Sequence, residues 1–132
     1  MKGCVAMARY EFATAISCMD GRTQLPLINW AQRKFNVDYL DMITEPGADK
    51  LLTEGDNEVV EKIKRKVTLS LDAHGSRLII IAGHHDCAAN PVTENDHRKQ
   101  IRNSVKLIAS WQLPAQVIGV WINEKWQVHL IT

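Results

Sequence analysis

The chain has 132 residues, of which 45% are hydrophobic and 23% charged, and its formal net charge at pH 7 is +1. These values are typical of an ordinary globular protein with a single domain over residues 1–132, and they exclude disordered, fibrous and membrane-embedded classes. A charge so close to zero indicates no particular class of partner.

The N-terminal region and the cysteine content indicate a compartment. The first nine residues lack the apolar stretch of a secretory signal, and no segment approaches the roughly 20 apolar residues of a membrane span. The three cysteines are irregularly spaced, which argues against a disulfide framework and favours free thiols. We therefore expect a cytoplasmic protein that does not contact membranes.

The first part of the chain alternates between strand and helix patterns. The most regular helix pattern begins at Asn57, because apolar residues from Val59 to Leu71 recur at helical spacing and Gly75 follows as a stop. The patterns predict, in order, a strand over 11–17 that ends at Cys18, a helix over 26–35, a strand over 37–44, a turn over 45–47 and a helix over 57–74.

The second part continues the alternation. Thr93 and Asp96 resemble a capping box that opens a helix, and Pro114 ends it. The patterns predict strands over 77–82 and 116–122, a turn over 123–125 and a last short strand over 126–131. Strand alternating with helix predicts an α/β fold with a mainly parallel sheet of four to five strands and helices on both faces.

Two short segments fall at the carboxyl ends of predicted strands, Ser17 to Arg22 and Gly83 to Cys87. Together they hold two thiols, an imidazole, a carboxylate and a guanidinium. Ligands of parallel sheets bind at this edge, so we expect the segments to meet. Zinc prefers thiolate and imidazole ligands, and three protein ligands leave a fourth position for water. The sequence therefore predicts a zinc site and, if that position is open, a hydrolytic or hydrating enzyme.

The spacing of these residues indicates which of them can bind the same metal ion. His84 and Cys87 are three residues apart at a turn, so both side chains can reach one point, and Cys18 supplies a third ligand. His85 competes with His84, but the spacing favours His84. Two thiolates make zinc a weaker Lewis acid than three histidines do, so we expect activity to rise toward alkaline pH.

Asp20 and Arg22 follow Cys18 closely. Asp20 can coordinate the metal as a fourth ligand or accept a hydrogen bond from metal-bound water. Arg22 can hold Asp20 away from the metal through paired hydrogen bonds. If that pair opens, Asp20 closes the site.

The motifs Cys18-x-Asp20-x-Arg22 and Gly83-His84-x-x-Cys87 resemble those of the β-class carbonic anhydrases. The resemblance extends over most of the chain in element order, and close matching is confined to the two motifs. It implies zinc ligands at Cys18, His84 and Cys87, and a catalytic dyad of Asp20 and Arg22. It also implies a homodimer or higher homo-oligomer that interconverts CO2 and bicarbonate through a zinc-bound hydroxide.

The chain departs from the family pattern at several positions and is shorter than most members. Residues 44–47 read Thr-Glu-Pro-Gly where members usually carry Arg-Asn-Ala-Gly, Gly21 replaces a serine, and Ala88 replaces a glycine. We interpret the chain as a divergent member. Two alternatives stay open: a non-catalytic zinc-binding homologue acting as a sensor or binding module, and a hydrolase of a CO2 analogue such as COS or CS2.

Several other residues have side chains that can take part in function. A proton relay through His85, Asp86 or His74 is not decided by the sequence. Acidic residues interleave the basic cluster after Glu61, which therefore predicts a solvated helix face rather than a nucleic-acid site. The remaining assignments are to packing or surface positions: Trp111, Trp121 and Trp126 to the core or a subunit contact, Cys4 to packing, and His74, His97 and His129 to surface or hydrogen-bonded sites.

Overall fold

The computed structural model of the chain describes residues 11–132, and the assignment of Cys4 to packing lies outside them. The described residues form five strands and four α-helices. In chain order they are β1 (Phe12–Ser17), a 3₁₀ turn (Gly21–Thr23), α1 (Gln24–Phe35), β2 (Tyr39–Thr44), α2 (Ala48–Glu54), α3 (Asn57–His74), β3 (Leu78–His84), α4 (Glu94–Ala109), β4 (Gln116–Ile122) and β5 (Val128–Leu130).

The strands form one sheet in the order β2-β1-β3-β4-β5. The first three pairings are parallel, and only β5 runs antiparallel, against β4. Ile81 lies opposite Ile16 on one side and Gly119 on the other, so β3 is central. The structure confirms the predicted mainly parallel α/β fold.

Helices cover both faces of this sheet. Alternate residues of β3 point to opposite faces, so Ile80 packs in the cluster that contains Leu27 of α1, whereas Ile79 and Ile81 pack in the cluster that contains Ile63 of α3. The three isoleucines are fully buried. The near-continuous aliphatic run of β3 is therefore explained by burial on both sides.

Two predicted helix boundaries are confirmed by their capping contacts. The Thr93 hydroxyl accepts a hydrogen bond from the backbone N–H of Asp96 at 3.1 Å, which begins α4. Gly75 ends α3 in the left-handed conformation with φ of 70°, a region that favours glycine.

The helix α2 is not predicted from the sequence. It has only seven residues, which is too short for a helical repeat to be recognised. Asp49 also lies on its buried side, where the pattern calls for an apolar residue. Asp49 thus interrupts the apolar pattern of the helix, and it lies next to the candidate site described below.

Other elements differ from prediction at their ends. β3 extends through Gly83 and His84 because both pair with β4, so His84 is the last residue of a strand rather than part of a turn. β5 is shorter than predicted, and Trp126 precedes it with φ of 58° instead of sharing a strand face with Val128 and Leu130. Among residues 11–132, no helix combines the length and the apolar character needed to cross a bilayer.

We expect Ile80→Ala to lower the free energy of unfolding by about 2–5 kcal/mol, because it leaves a cavity in the central strand. Leu69→Ala on α3 is the control: the Leu69 side chain is 64% exposed, and its truncation is expected to change stability by about 0.5 kcal/mol or less. Urea unfolding of both variants measures the difference. Equal losses would contradict the placement of β3 at the centre of the sheet.

Candidate metal centre

The ends of β1 and β3 bring three of the predicted site residues together. Cys18 follows the last residue of β1, His84 ends β3, and Cys87 follows a short turn. One potential ligand atom of each lies within 4.8 Å of the others, and the two sulfurs are 3.9 Å apart. The three residues are 6%, 2% and 4% exposed. Within residues 11–132 this is the one cluster of its kind.

The donor set fits a tetrahedral thiophilic metal. With metal–sulfur distances of about 2.3 Å, two thiolates of a tetrahedral zinc site lie about 3.8 Å apart, close to the separation of Cys18 and Cys87. The His84 Nδ1 lies 2.7 Å from the carbonyl oxygen of His85 and donates its proton to that oxygen. The His84 Nε2 is buried with no hydrogen-bond partner. A carbonyl that fixes the tautomer and leaves the other nitrogen free is the usual arrangement of a metal-ligating histidine.

The two sulfurs also interact with each other and with backbone N–H groups. The hydrogen bond from Cys87 lowers the pKa of Cys18 to about 3, with a smaller contribution from the N–H of Gly47. The same contact raises the pKa of Cys87, and the nearby backbone N–H groups of Ala89 and Asn90 act weakly in the opposite direction. The pair thus carries one negative charge when no metal is bound. Although burial opposes it, the neighbouring Cys18 thiolate raises the pKa of His84.

Asp20 is held away from this cluster by Arg22. The Arg22 backbone N–H and Nε donate to Asp20 Oδ1 at 2.9 and 3.1 Å, and Nη2 donates to Oδ2 at 2.7 Å. These hydrogen bonds lower the pKa of Asp20 to about 2, so it is a carboxylate at neutral pH. The structure shows Asp20 paired with Arg22, one of the two arrangements that the sequence leaves open, and Asp20 is not part of the metal-ligand cluster.

Two further residues hold Arg22. Asp86 accepts from Arg22 through its carboxylate at 3.3 Å and its backbone carbonyl at 3.2 Å. The guanidinium carbon lies 4.7 Å from the ring centroid of Trp126, a distance typical of a cation–π contact. Trp126 is also a neighbour of His84, with 6.4 Å between ring centroids. The sequence carries no signal for this position of Trp126, because the residue takes the left-handed conformation without being a glycine or an asparagine.

The candidate relay residues are not all near the cluster. His85 and Asp86 lie on the exposed turn between two of the candidate ligands. His74 ends α3 and stacks on Phe12, the first residue of β1, with 4.1 Å between ring centroids. The candidate site follows the other end of β1, so the structure separates His74 from it.

The fold and the site together define an α/β protein with a candidate Cys-His-Cys metal centre at the carboxyl edge of a parallel sheet. A family model described as "Putative carbonic anhydrase" matches residues 8–132. The chain belongs to this family.

Solved β-carbonic anhydrases share the fold at low sequence identity. Isoform I from Trichomonas vaginalis is 20% identical with a TM-score of 0.58, over 95% of this chain and 85% of that one. A carbonic anhydrase from Glaciozyma antarctica is 16% identical with a TM-score of 0.62, over 96% and 85%. One of two enzymes from Sordaria macrospora described as tetrameric is 13% identical with a TM-score of 0.54, over 95% and 82%. No curated protein matches the chain. It is therefore a divergent member that resembles β-carbonic anhydrases.

We expect the reduced, metal-free protein to contain a thiolate at neutral pH, because the pKa of Cys18 is far below that of a free thiol. Ultraviolet thiolate absorbance measures it, with Cys4 replaced by serine in every sample. Cys18→Ser should abolish the signal. Cys87→Ser should retain much of it, since the serine hydroxyl can still donate to the Cys18 sulfur. Equal loss in both variants would contradict this assignment of the charge.

The contact between Asp20 and Arg22 predicts a pH dependence of stability. Because the pKa of Asp20 is lowered from 3.8 to about 2 on folding, its contribution is fully present above the higher value and is lost as pH falls toward the lower one. In urea unfolding of metal-free protein, the advantage of wild type over Asp20→Asn should be constant near neutrality and shrink below about pH 4. An advantage that does not change with pH would contradict the pairing.

Proposed function

We propose that the chain binds Zn²⁺ through Cys18, His84 and Cys87 and catalyses the reversible hydration of CO2 to bicarbonate. The observation that carries the proposal is the buried Nε2 of His84, which has no hydrogen-bond partner, on a residue that offers a ligand atom within 4.8 Å of the two sulfurs. An unpaired buried polar nitrogen costs free energy unless a partner binds it, and a metal ion is such a partner. Membership of the carbonic anhydrase family supports the choice of reaction.

Asp20 is the proposed catalytic carboxylate. Zinc, when bound, supplies a Lewis acid that lowers the pKa of a water ligand so that a nucleophile for CO2 exists near neutral pH. Asp20 stays ionised there and offers an acceptor for a hydrogen bond that orients the nucleophile. Arg22 keeps Asp20 in place and off the metal, which leaves the fourth coordination position for solvent. We expect the rate to rise toward alkaline pH because two thiolates weaken the Lewis acid.

Proton release is proposed to pass through the exposed turn that holds His85 and Asp86. Both side chains reach solvent there, and both lie within two residues of a candidate ligand. His74 is not part of this proposal, because it contacts Asp41 at 2.7 Å at the other end of the sheet.

The assembly and the compartment are also proposals. We infer a homo-oligomer of single-domain chains, since the Sordaria macrospora relatives are described as tetrameric. The exposed apolar side chains of Met19, which follows Cys18, and Leu25, in the first turn of α1, are consistent with a surface that a second subunit covers. A reducing cytoplasm suits a centre that depends on two free cysteines.

A non-catalytic zinc protein is the second candidate, and the sequence of residues 44–47 favours it. The segment reads Thr-Glu-Pro-Gly where family members usually carry an arginine, so it presents no guanidinium to a substrate. The Glu45 carboxylate instead lies 3.7 Å from the Lys66 amino group. Because of the same difference, hydrolysis of a CO2 analogue, COS or CS2, stays an alternative reaction.

Zinc content and CO2 hydration, measured on one sample by elemental analysis and stopped flow, test the proposal. We expect one zinc per chain and a rate that depends on it. Asp20→Ala should retain zinc and lose on the order of 100-fold or more in rate, since it removes the acceptor that orients the nucleophile. Asp72→Ala, at an exposed carboxylate on α3, is the matched control and should leave both unchanged.

The outcomes separate the candidates. Zinc bound without any CO2 hydration that depends on Asp20 would reject the enzyme and support the non-catalytic homologue. Hydrolysis of COS or CS2 without hydration of CO2 would reject CO2 as the substrate and support the proposed metal centre. Absence of zinc from reduced protein loaded with the metal would reject both.

A further inference from the structure

A second buried polar cluster packs against the backbone beside the candidate metal centre, and its residues lie outside the two sequence motifs. Asp49 on α2 is its centre: its Oδ2 lies 2.6 Å from His97 Nδ1, and its Oδ1 accepts from the side-chain amide of Asn90 at 3.1 Å. The same amide donates to Gln100 at 2.7 Å, and the Ser104 hydroxyl lies 3.3 Å from the Asp49 carbonyl. We name these five residues, from α2, the loop after Cys87 and α4, the Asp49 network.

Four of the five residues are as buried as the core of the protein, and Gln100 is half-buried. Asp49 is 2% exposed, Asn90 1% and His97 1%. Burying this many polar groups is costly unless each has a partner, and an apolar cluster of the same volume stabilises a fold at least as well. A role in positioning its neighbours accounts for polar groups at these sites.

The network contacts backbone that lies close to the candidate ligands. A Cβ atom at Gly83, which precedes His84, would lie 2.6 Å from Asp49 Oδ2, so the carboxyl packs directly on that backbone. The backbone N–H of Asn90 bonds to the Cys87 carbonyl at 3.2 Å, and it also faces the Cys87 sulfur.

The third connection runs through Gly47. Its backbone N–H lies near the Cys18 sulfur, and a Cβ atom built on it would lie 3.2 Å from the Cβ of Asn90. Gly47 immediately precedes α2 in the left-handed conformation, with φ of 62°. The segment that carries Asp49 and the loop that carries Asn90 are therefore in contact close to the two sulfurs.

We propose that Asp49, through its hydrogen bonds to Asn90 and His97, is a positioning residue that fixes the two sulfurs and His84 at the spacing a metal ion requires. The inference rests on the proposed metal centre. Asp49 does not contact the metal or substrate in this proposal. It holds the loop after Cys87 against Gly47, so that the backbone donors to the sulfurs stay in place without a metal.

Metal affinity of the full-length, reduced chain tests this inference. Asn90→Ala is the principal variant, because it keeps the Cβ that packs on Gly47 and removes only the amide that joins the loop to Asp49. Asp49→Asn is the second variant, since it keeps the size of the side chain and replaces one acceptor oxygen with a donor. Ser70→Ala is the matched control: Ser70 is also buried and hydrogen-bonded, but to Asp41 and Thr14 near the opposite end of the sheet.

Two readouts distinguish positioning from general stability. The dissociation constant for Co²⁺ is read from sulfur-to-cobalt charge-transfer absorbance and that for Zn²⁺ from competition with a chelator, while thermal unfolding of metal-free protein reports stability. We expect Asn90→Ala and Asp49→Asn to weaken metal binding about 10- to 100-fold, as loss of partners behind a ligand does. Ser70→Ala should lower thermal stability and leave the dissociation constants within about twofold, because it lies far from the cluster.

Affinities of Asn90→Ala and Asp49→Asn within about twofold of wild type would overturn the inference, as would an equal loss in Ser70→Ala. A wild-type chain that binds neither metal would instead overturn the proposed function, and this inference with it. Because the readout is affinity, a zinc-binding chain that does not hydrate CO2 would reject the enzyme and leave this result in force.

Discussion

Parallel pairing of β1 with β3 is the contact on which the candidate site depends. Thr14, Ala15 and Ile16 lie opposite Ile79, Ile80 and Ile81, so the two strands end side by side. The chain leaves β1 toward β2 on one side and leaves β3 toward β4 on the other, so the connections diverge between the ends of these two strands. Ligands of parallel sheets bind at such a point. Cys18, His84 and Cys87 lie there, so packing of isoleucines in the sheet sets the positions of their sulfur and nitrogen atoms.

The candidate ligands carry polar groups that the protein satisfies only in part. The two sulfurs lie 3.9 Å apart and hydrogen-bond to each other, whereas the buried His84 Nε2 has no hydrogen-bond partner. An unpartnered buried nitrogen raises the free energy of the folded chain, and a cation bound to it would lower that free energy. In the proposed zinc-bound form, metal binding would therefore stabilise the fold.

Sequence patterns predicted the elements with a regular hydrophobic period and the two motifs that carry cysteine, histidine and charged residues. The aliphatic run of β3, the period of α3 and the caps at Thr93 and Gly75 are local signals, and each is confirmed. The two motifs predicted which residues the sheet brings together. The roles of those residues as ligands and catalysts stay predictions.

Other parts were not accessible because they depend on contacts between distant segments. Asp49 reads as a surface residue in the sequence, and only its partners on α4 and in the loop after Cys87 explain its burial. Trp126 reads as a strand residue, and only the three-dimensional turn places its ring against Arg22. Hydrophobic periodicity describes one element at a time, so it cannot reveal a buried polar group satisfied by two others.

Arg22 lies between two carboxylates, those of Asp20 and Asp86, on the exposed surface beside the candidate metal centre. One guanidinium balances only one of the two carboxylates, so this contact carries an excess negative charge. Such a charge raises the free energy of a nearby anion and leaves that of an uncharged solute nearly unchanged. This part of the surface therefore favours uncharged solutes over anions, and added salt weakens the preference.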